Sequence, residues 1–365
     1  MFKILFLFDS LECGGAEQAL YDLLRLMDKR QFEVAIFVLK AGGVWEEKFR
    51  KEGVRILNAD ASSTCGGLLQ KLRLRCARKY NGKGLLKAAL KEKFDLVVSY
   101  MMWEQLATGF VSGVPAVCWF HWDVESNKAF RWIVNENRKL MMKYDRICCV
   151  SKAGQESLKS LIRRPVELHY NPIDSQRICK MAKEHRELPE TPYTCAVGRM
   201  VPEKGFVRLV YVHKRLLEAG AHHNLVIVGD GPERENIENA IKETGTENSV
   251  ILVGYQSNPY PYMKNSRFLV CSSFTEALPV ISMEALSLGI PIVSAVPSIE
   301  EVFGEENCGI ITDNDDDSLF AGMYTMLTDE DSYAKAKQGA ENRSKFFDGN
   351  RMVKEVEDVF LELVK

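Results

Sequence analysis

Thr275-Glu-Ala-Leu-Pro-Val-Ile-Ser-Met-Glu-Ala-Leu-Ser-Leu-Gly-Ile-Pro-Ile-Val293 decides the fold, because a loop, a helix and a buried strand follow one another within it. Pro279 fits a first helical turn, where the N–H that proline lacks would be unpaired anyway. Gly289 and Pro291 then stop the helix, and the apolar residues around them indicate a strand. The stretch therefore predicts a helix that leads directly into a buried strand.

Two glutamates of this stretch point to a ligand. Glu276 is predicted just before the helix N-terminus, and Glu284 about a turn and a half inside the helix. Free backbone N–H groups at a helix N-terminus favour an anion such as phosphate. Two carboxylates beside such a site have no core-packing reason to be there. The pair suits a ligand that is anionic in the middle and rich in hydroxyl groups at both ends.

Short apolar runs alternate with helical patterns along the chain, and the alternation restarts in its second half. This pattern predicts βαβ units around parallel sheets. The expected fold class is α/β, with two Rossmann-like, doubly wound domains that face each other across a cleft and bind ligands at the carboxyl ends of their strands. We expect one domain at residues 1–172, a second at 173–350 and a final amphipathic helix at 351–365. The predicted strands lie at 2–8, 33–39, 95–99, 115–120, 146–150, 193–198, 224–229, 250–253, 267–271, 291–294 and 308–312.

Length and composition are those of an ordinary globular protein. The 365 residues suffice for two domains with their own cores, and 46% are hydrophobic. No run of about 18 apolar residues predicts a membrane-spanning helix, and the N-terminus is too short and too soon acidic for a signal peptide. The ten cysteines form no C-x-x-C pair. We therefore expect a cytoplasmic protein with reduced thiols, no disulfide and no metal site.

The two halves of the chain differ in charge. Residues 1–172 carry 28 lysines and arginines against 19 aspartates and glutamates, whereas residues 173–365 carry 20 against 31. Nine cations lie within residues 71–93, interleaved with leucines and accompanied by one acidic residue. Such a segment suits either an anionic membrane surface or a solvated helix face over a core stripe. Nucleic acid is a weaker alternative, because no aromatic stacking platform accompanies the charges.

Two cations follow the first strand of the second half. Gly198 lets the chain turn sharply as it leaves that strand, and Arg199 and Lys204 lie in the loop and helix start that follow. The planar fork of arginine and the point charge of lysine can together clamp a diphosphate. Taken alone, the pair is better explained as two ordinary surface charges.

Two more strands of the second half end in glycine. Gly229 opens the turn Gly-Asp-Gly-Pro, and Gly254 precedes Tyr255. A turn with so few side chains lets a ligand approach the backbone, although a tight βα loop can have the same sequence. Three glycine-marked strand ends together with the two glutamates indicate a binding site more strongly than any one of them.

The first half has two weaker signals at strand ends. Gly14 and Gly15 follow the first strand and open a helix, but the third glycine of a dinucleotide fingerprint is missing. His121 follows another strand, which is compatible with a functional or a structural histidine. Asp313 and Asp315–Asp317 contain a D-x-D spacing, but they precede a helical pattern, and we interpret them as helix-capping residues rather than metal ligands.

Together these residues resemble the family 4 retaining glycosyltransferases of the GT-B fold. The chain departs from the family pattern at Ala277, where glycine is common. The motifs that carry the resemblance span nearly the whole chain: Gly14–Glu17, Val150-Ser151, Asn171–Asp174, Gly198-Arg199 with Lys204-Gly205, Gly229–Pro232, and Glu276 with Glu284, Gly289 and Pro291.

The resemblance implies a nucleotide-sugar site. Arg199 and Lys204 would neutralise the donor diphosphate, Glu284 would hold the ribose, and Glu276 would hold the transferred sugar. Backbone groups at Ala277, Leu278 and Pro279 would face the leaving phosphate, with Gly198 and Gly229 nearby and Gly254 and Tyr255 beside the base. From the other domain, Gly14 and Gly15 would approach the phosphates and His121 the sugar. The implied catalytic set is Glu276, Arg199, Lys204 and His121.

The resemblance also implies the reaction. A hexose or N-acetylhexosamine would move from a UDP-sugar to a glycan, with retention and without a metal or other cofactor. The implied acceptor is linked to polyprenyl diphosphate and serves capsule or another envelope polysaccharide. The protein would be peripheral on the inner face of the cytoplasmic membrane, attached through residues 71–93. The alternatives are a GT-B-fold sugar-nucleotide epimerase and a non-catalytic regulatory relative.

Overall fold

The protein forms two compact units, Met1–Pro172 together with Gly349–Lys365, and Ile173–Asp348. Each unit is built on one sheet whose strands are all parallel within the described residues. The structure is a computed structural model that describes residues 1–8, 10–12, 14–38, 40, 42–58, 93–100, 113–122, 124, 128–276 and 278–365.

The first unit has a seven-stranded sheet in the order β3-β2-β1-β4-β5-β6-β7. Strand β1 is the third of the seven, between β2 and β4, and is buried along most of its length, as expected for a parallel sheet covered on both faces. The strands are β1 Phe2–Phe8, β2 Phe32–Val38, β3 Arg55–Asn58, β4 Leu96–Ser99, β5 Ala116–Phe120, β6 Arg146–Cys149 and β7 Glu167–Leu168, and the described helices before residue 172 are α1 Gly15–Leu26, α2 Val44–Lys51, α3 Lys128–Met141 and α4 Lys152–Ile162.

The second unit has a six-stranded sheet in the order β10-β9-β8-β11-β12-β13. Its strands are β8 Tyr193–Val197, β9 Asn224–Val228, β10 Val250–Gly254, β11 Leu269–Cys271, β12 Ile292–Ser294 and β13 Gly309–Ile311. Its helices are α5 Ser175–Met181, α6 Phe206–Glu218, α7 Arg234–Thr244, α8 Tyr260–Lys264, α9 Val280–Ser287, α10 Ile299–Phe303, α11 Asp316–Thr328 and α12 Glu330–Ser344.

The last helix, α13 (Gly349–Val364), completes the first unit. It packs against α1 and β4, and Val353, Val356 and Phe360 are buried in the same core as Phe6 of β1. The Phe360 ring meets Phe6 edge-on at 6.1 Å. Full burial of one such side chain stabilises a fold by about 1.5–3 kcal/mol, so the apolar stripe suffices to hold the helix.

The predicted α/β class with two Rossmann-like sheets is confirmed. Two short strands, β3 and β7, escaped the sequence analysis because four and two residues are too few to show a period. The sequence also has helical patterns at 68–92 and 103–111, and both lie outside the described residues. Among the helices that are described, none is both long enough and apolar enough to cross a bilayer.

Candidate functional site

Two glycines join the carboxyl ends of β8 and β9. The N–H of Gly198 donates to the carbonyl oxygen of Val228 across 3.0 Å. A Cβ atom on Gly229 would lie 1.9 Å from the carbonyl oxygen of Gly198, and the φ of 149° at Gly229 disfavours other residues. Gly229 is therefore required by the close approach of backbone to backbone, which is the tight-loop interpretation of this motif.

Lys204 and Glu276 meet at this edge of the sheet. Lys204 ends the short 3-10 turn Pro202–Lys204, and the loop after β11 carries Glu276. The Nζ of Lys204 donates to Oε1 of Glu276. Both side chains are partly exposed, the lysine by 26% and the glutamate by 18%. Because both groups are accessible to solvent, a ligand can replace their mutual contact: its phosphates would bind the cation, and its hydroxyl groups would donate to the carboxylate.

Hydroxyl groups and a buried arginine hold the loop that carries Glu276. The hydroxyl of Ser273 donates to Oε1 of Glu276 across 2.9 Å, and that of Ser298 donates to its backbone carbonyl across 3.2 Å. The guanidinium of Arg208, in α6, donates to the carbonyl oxygens of Ser272 and Ser273. Burial lowers the pKa of Arg208. These bonds fix the loop from several directions, so the Glu276 carboxylate is preorganised.

Glu284, the second glutamate of the predicted site, lies in the short helix α9 that follows this loop. It is 5% exposed and is the fifth residue of α9, as the sequence predicts. The hydroxyl of Tyr260, at the start of α8, donates to Oε1 of Glu284 across 2.8 Å. Tyr260 is itself 2% exposed. A nearly buried carboxylate with a fixed orientation can accept hydrogen bonds from a pair of ligand hydroxyl groups.

Other predicted residues of the second unit lie at the same ends of the sheet. Arg199 is exposed, and no hydrogen bond or ion pair joins its side chain to another described residue. Leu278 and Pro279 are buried just before α9, while Ala277 is outside the described residues. Gly254 ends β10 with a φ of 78°, and Tyr255 after it is 49% exposed.

The first unit holds the remaining predicted residues. Gly14 caps α1 with an extended backbone, and Gly15 begins the helix. A Cβ atom on Gly14 would lie 2.7 Å from a carboxylate oxygen of Glu17. His121 follows β5 and is only 9% exposed; its Nε2 makes no hydrogen bond to any described residue, and its ring lies 4.4 Å from that of Tyr100. Burial lowers the pKa of His121 to about 3, so the ring is neutral at physiological pH.

The acidic run near residue 315 behaves as a cap. Asp315 precedes α11, and its carboxylate accepts a hydrogen bond from the N–H of Ser318 across 2.8 Å. That bond lowers the pKa of Asp315. The helix-capping interpretation is therefore confirmed for Asp315. Nearly all of the basic segment 71–93 lies outside the described residues, so its membrane role stays a prediction.

The sequence analysis missed the side chains that support the two glutamates. Ser273 could have been found, because two polar residues directly follow the apolar strand β11. Tyr260 gave no such signal, since aromatic residues are ordinary in an apolar core. Arg208 also gave none, because its partners are backbone carbonyl oxygens and the amide oxygen of Asn314 rather than acidic side chains.

Two protein-family models match the chain. The model described as Glycosyltransferase Family 4 matches residues 13–177, and the model described as Glycosyl transferases group 1 matches residues 180–343. Together the two matches leave only the chain ends and two central residues outside.

Curated relatives include polysaccharide glycosyltransferases. The N-acetylgalactosamine-N,N'-diacetylbacillosaminyl-diphospho-undecaprenol 4-alpha-N-acetylgalactosaminyltransferase of Campylobacter jejuni is 31% identical over 57% of this chain. The chain spans only 58% of that relative's length. The amylovoran biosynthesis glycosyltransferase AmsD of Erwinia amylovora is 22% identical over 90% of both chains.

Solved structures share the fold over nearly the whole chain. HepE of Anabaena, crystallised in complex with UDP and glucose, superposes with a TM-score of 0.80 at 18% identity, covering 99% of this chain and all of that one. TarM of S. aureus superposes with a TM-score of 0.76 at 12% identity, covering 100% of both chains. At these identities the likeness establishes the architecture of the protein.

Proposed function

Because the chain belongs to glycosyltransferase family 4 and has the GT-B fold, we propose that it transfers a hexose or N-acetylhexosamine from a UDP-sugar to a lipid-linked glycan. The product would be part of an envelope polysaccharide, and the anomeric configuration of the sugar would be retained. Support comes from the family models and from relatives named for polysaccharide synthesis. HepE, the structural neighbour described above, was crystallised with UDP, and this favours a uridine nucleotide as the donor of this protein.

The observation that carries this proposal is the arrangement around α9. Lys204 contacts Glu276 just before the helix, and Glu284 is fixed within it by Tyr260. We assign Glu276 to hydroxyl groups of the transferred sugar and Glu284 to the ribose. The donor diphosphate would then lie between them, where Lys204 and the exposed Arg199 supply positive charge.

The chemical step requires charge stabilisation rather than a protein nucleophile. The bond between the anomeric carbon and the diphosphate breaks, and the acceptor hydroxyl forms a bond to that carbon on the same face. Its proton passes to the departing phosphate oxygen. Lys204 and Arg199 stabilise the charge that develops on the diphosphate, which is usually the largest contribution to such catalysis. No divalent metal is needed for that role in this proposal.

A surface on α3 supports a peripheral membrane location. Trp132 is 63% exposed, and Met142, just after the helix, is 51% exposed. Tryptophan and lysine or arginine together are typical of segments that lie on anionic bilayers. We define the α3 surface as the exposed residues of α3 and the two that follow it, of which five are basic and one is acidic: Lys128, Arg131, Trp132, Asn135, Glu136, Arg138, Lys139, Met142 and Lys143. The proposed site of action is the inner face of the cytoplasmic membrane.

A transfer assay tests the proposal. Purified protein is incubated with UDP-sugars and an oligosaccharide linked to polyprenyl diphosphate, and the product is analysed. We expect transfer in the presence of EDTA, and NMR of the product should give the same anomeric configuration as the donor. A parallel reaction without acceptor tests the epimerase alternative, because an epimerase would change the donor sugar there. Absence of transfer from every UDP-sugar, both to this oligosaccharide and to bacterial lipid extracts supplied as acceptors, would contradict the proposed activity.

A further inference from the structure

A cysteine, a glutamate and a histidine come together at the edge of the first sheet. The register of β6 and β7 pairs Cys148 with Glu167, so the two side chains are cross-strand neighbours on one face. His169 follows Glu167 by two residues and therefore lies on the same face. One ligand atom of each of the three side chains lies within 4.8 Å of the others.

These three residues are more buried than an ordinary group of charged surface side chains. Cys148 is completely buried, and within the described chain its thiol makes no hydrogen bond. His169 Nε2 lies 3.5 Å from Oε2 of Glu167, and its Nδ1 is buried and makes no hydrogen bond to a described residue. Glu167 is 37% exposed, which leaves the cluster open to solvent on one side.

We propose that Cys148, Glu167 and His169 bind a zinc ion, with water as the fourth ligand. Thiolate, imidazole and carboxylate are the three side-chain types that zinc takes in proteins. A tetrahedral zinc ion holds its ligand atoms roughly 3.3–3.7 Å apart, so the histidine and glutamate already have this spacing. Movements of about 1 Å by the cysteine or its partners complete the set.

Arg146 supports the carboxylate from outside the cluster. Its Nε lies 3.1 Å from Oε1 of Glu167, whereas it is Oε2 that faces His169. A group that holds the other oxygen of a ligating carboxylate orients the ligand and is typical of metal sites. The arginine also pairs with Glu362, whose Oε2 lies 3.3 Å from its Nη2, so it offsets only part of the negative charge of the thiolate and the carboxylate, and the zinc ion would offset the rest.

The zinc ion would join the short edge strand β7 to β6, so it is assigned to the stability of the first unit. The zinc ligands belong to the first unit, whereas α9 and the donor site proposed around it belong to the second. The absence of a C-x-x-C pair, from which the sequence analysis expected no metal, concerns ligands close in sequence. Here 18 residues separate Cys148 from Glu167 in numbering, and the strand register brings them together.

Metal binding by the full-length protein tests the proposal without measuring transfer. Protein stripped with a chelator and given Zn²⁺ should retain about one equivalent after desalting, and its melting temperature should rise by several degrees. With Co²⁺ it should show a thiolate-to-cobalt charge-transfer band in the near ultraviolet. The variants Cys148→Ser and His169→Ala should lack the charge-transfer band and should not retain Zn²⁺ after desalting. Cys149→Ser is the matched control, because Cys149 is the next residue, equally buried, and points to the opposite face.

Two results would overturn the zinc site. Retention of less than a tenth of an equivalent by the wild-type protein, or no charge-transfer band, would overturn the zinc site even if a variant fails to fold. Equal metal binding by Cys148→Ser and the wild type would also overturn it. Because these readouts are independent of sugar transfer, failure of the zinc proposal leaves the proposed transferase activity intact, and failure of that activity leaves the zinc proposal intact.

Discussion

Lys204 and Glu276 are 72 residues apart in the sequence, and the lysine ammonium group donates to the glutamate carboxylate. Each neutralises the other, so the proposed donor site is electrically balanced before a ligand arrives. A bound diphosphate would attract the lysine and leave the carboxylate to accept hydrogen bonds from sugar hydroxyl groups. The pair therefore links the anionic part of the donor to its sugar.

Removal of either member of the pair should impair transfer in a distinct way. Glu276→Ala should lower kcat/KM by at least about 100-fold, because it removes a charged acceptor from the reacting sugar. Lys204→Ala should raise the donor KM and lower kcat, because the diphosphate loses a cation. Steady-state kinetics with varied donor concentration measure both effects.

Glu300→Ala is the control for this pair, since Glu300 is an exposed glutamate of α10 in the same unit. The effects of Lys204→Ala and Glu276→Ala should not add in the double variant, because residues in contact are coupled. Wild-type rates for either single variant would remove that residue from the site.

Tyr260→Phe should weaken donor binding, because the Glu284 carboxylate would no longer be held in a fixed orientation. The substitution removes one hydroxyl group and the 2.8 Å hydrogen bond to the glutamate, which is worth about 1 kcal/mol or somewhat more. We expect the dissociation constant for UDP to rise about five- to tenfold, measured by calorimetry. Tyr262→Phe in the same helix α8 should bind UDP as the wild type does. Equal affinity in Tyr260→Phe would show that the bond has no role in binding.

Gly229→Ala should strongly destabilise the second unit. The new Cβ would lie 1.9 Å from the carbonyl oxygen of Gly198, so β8 and β9 would have to separate at their carboxyl ends. We expect a loss of more than about 3 kcal/mol or an insoluble protein. Gly245→Ala is the control, because it has a positive φ of 64° but no atom within 4 Å of a new Cβ. Its cost should be about 1 kcal/mol. Calorimetric melting compares the two, and equal effects would contradict the packing argument.

The contrast between local and distant contacts explains what the sequence could predict. The helix between Pro279 and Gly289 was predictable because its start and stop signals lie in neighbouring residues. The contact of Lys204 with Glu276 was not, because it depends on β11 lying beside β8 although two strands separate them along the chain. The bond from Tyr260 to Glu284 joins two helices and depends on their packing.

Acid should destabilise the second unit through a buried histidine pair. His213 Nδ1 lies 3.3 Å from Nε2 of His223, whose Nδ1 donates to the carbonyl of Ala221. Burial, with a smaller effect of His223, lowers the pKa of His213 to about 3. The unfolded chain takes up this proton near pH 6.5, so the neutral form stabilises the fold fully above that pH. Stability should fall as the pH drops from about 6.5 towards 3.

Urea unfolding between pH 8 and pH 4.5 measures this effect. The slope should be up to about 1.4 kcal/mol per pH unit for each histidine that stays neutral in the folded protein. His213→Gln should flatten the slope, whereas His222→Gln, at an exposed histidine nearby, should leave it unchanged. An unchanged slope in His213→Gln would assign the acid sensitivity to other groups.

The α3 surface should contribute to binding of anionic vesicles. Arg131 and Lys139 lie on either side of the exposed Trp132 along the helix, so reversal of both charges should weaken binding by about tenfold or more. Co-sedimentation with vesicles containing phosphatidylglycerol, at two salt concentrations, measures this. The double variant Lys242→Glu with Lys335→Glu is the matched control, because it changes net charge equally on exposed residues of the second unit.

Transfer to a soluble acceptor should be the same in the wild type and in the α3 variant, since the substituted residues lie outside the proposed donor site. Wild-type vesicle binding by the α3 variant would contradict a role for this surface. Reversal of Arg73, Arg75 and Arg78 then tests the other segment that the sequence nominates. If neither set of reversals weakens binding, electrostatic attachment through the first unit is wrong, because attraction to an anionic bilayer depends on the cations near its surface.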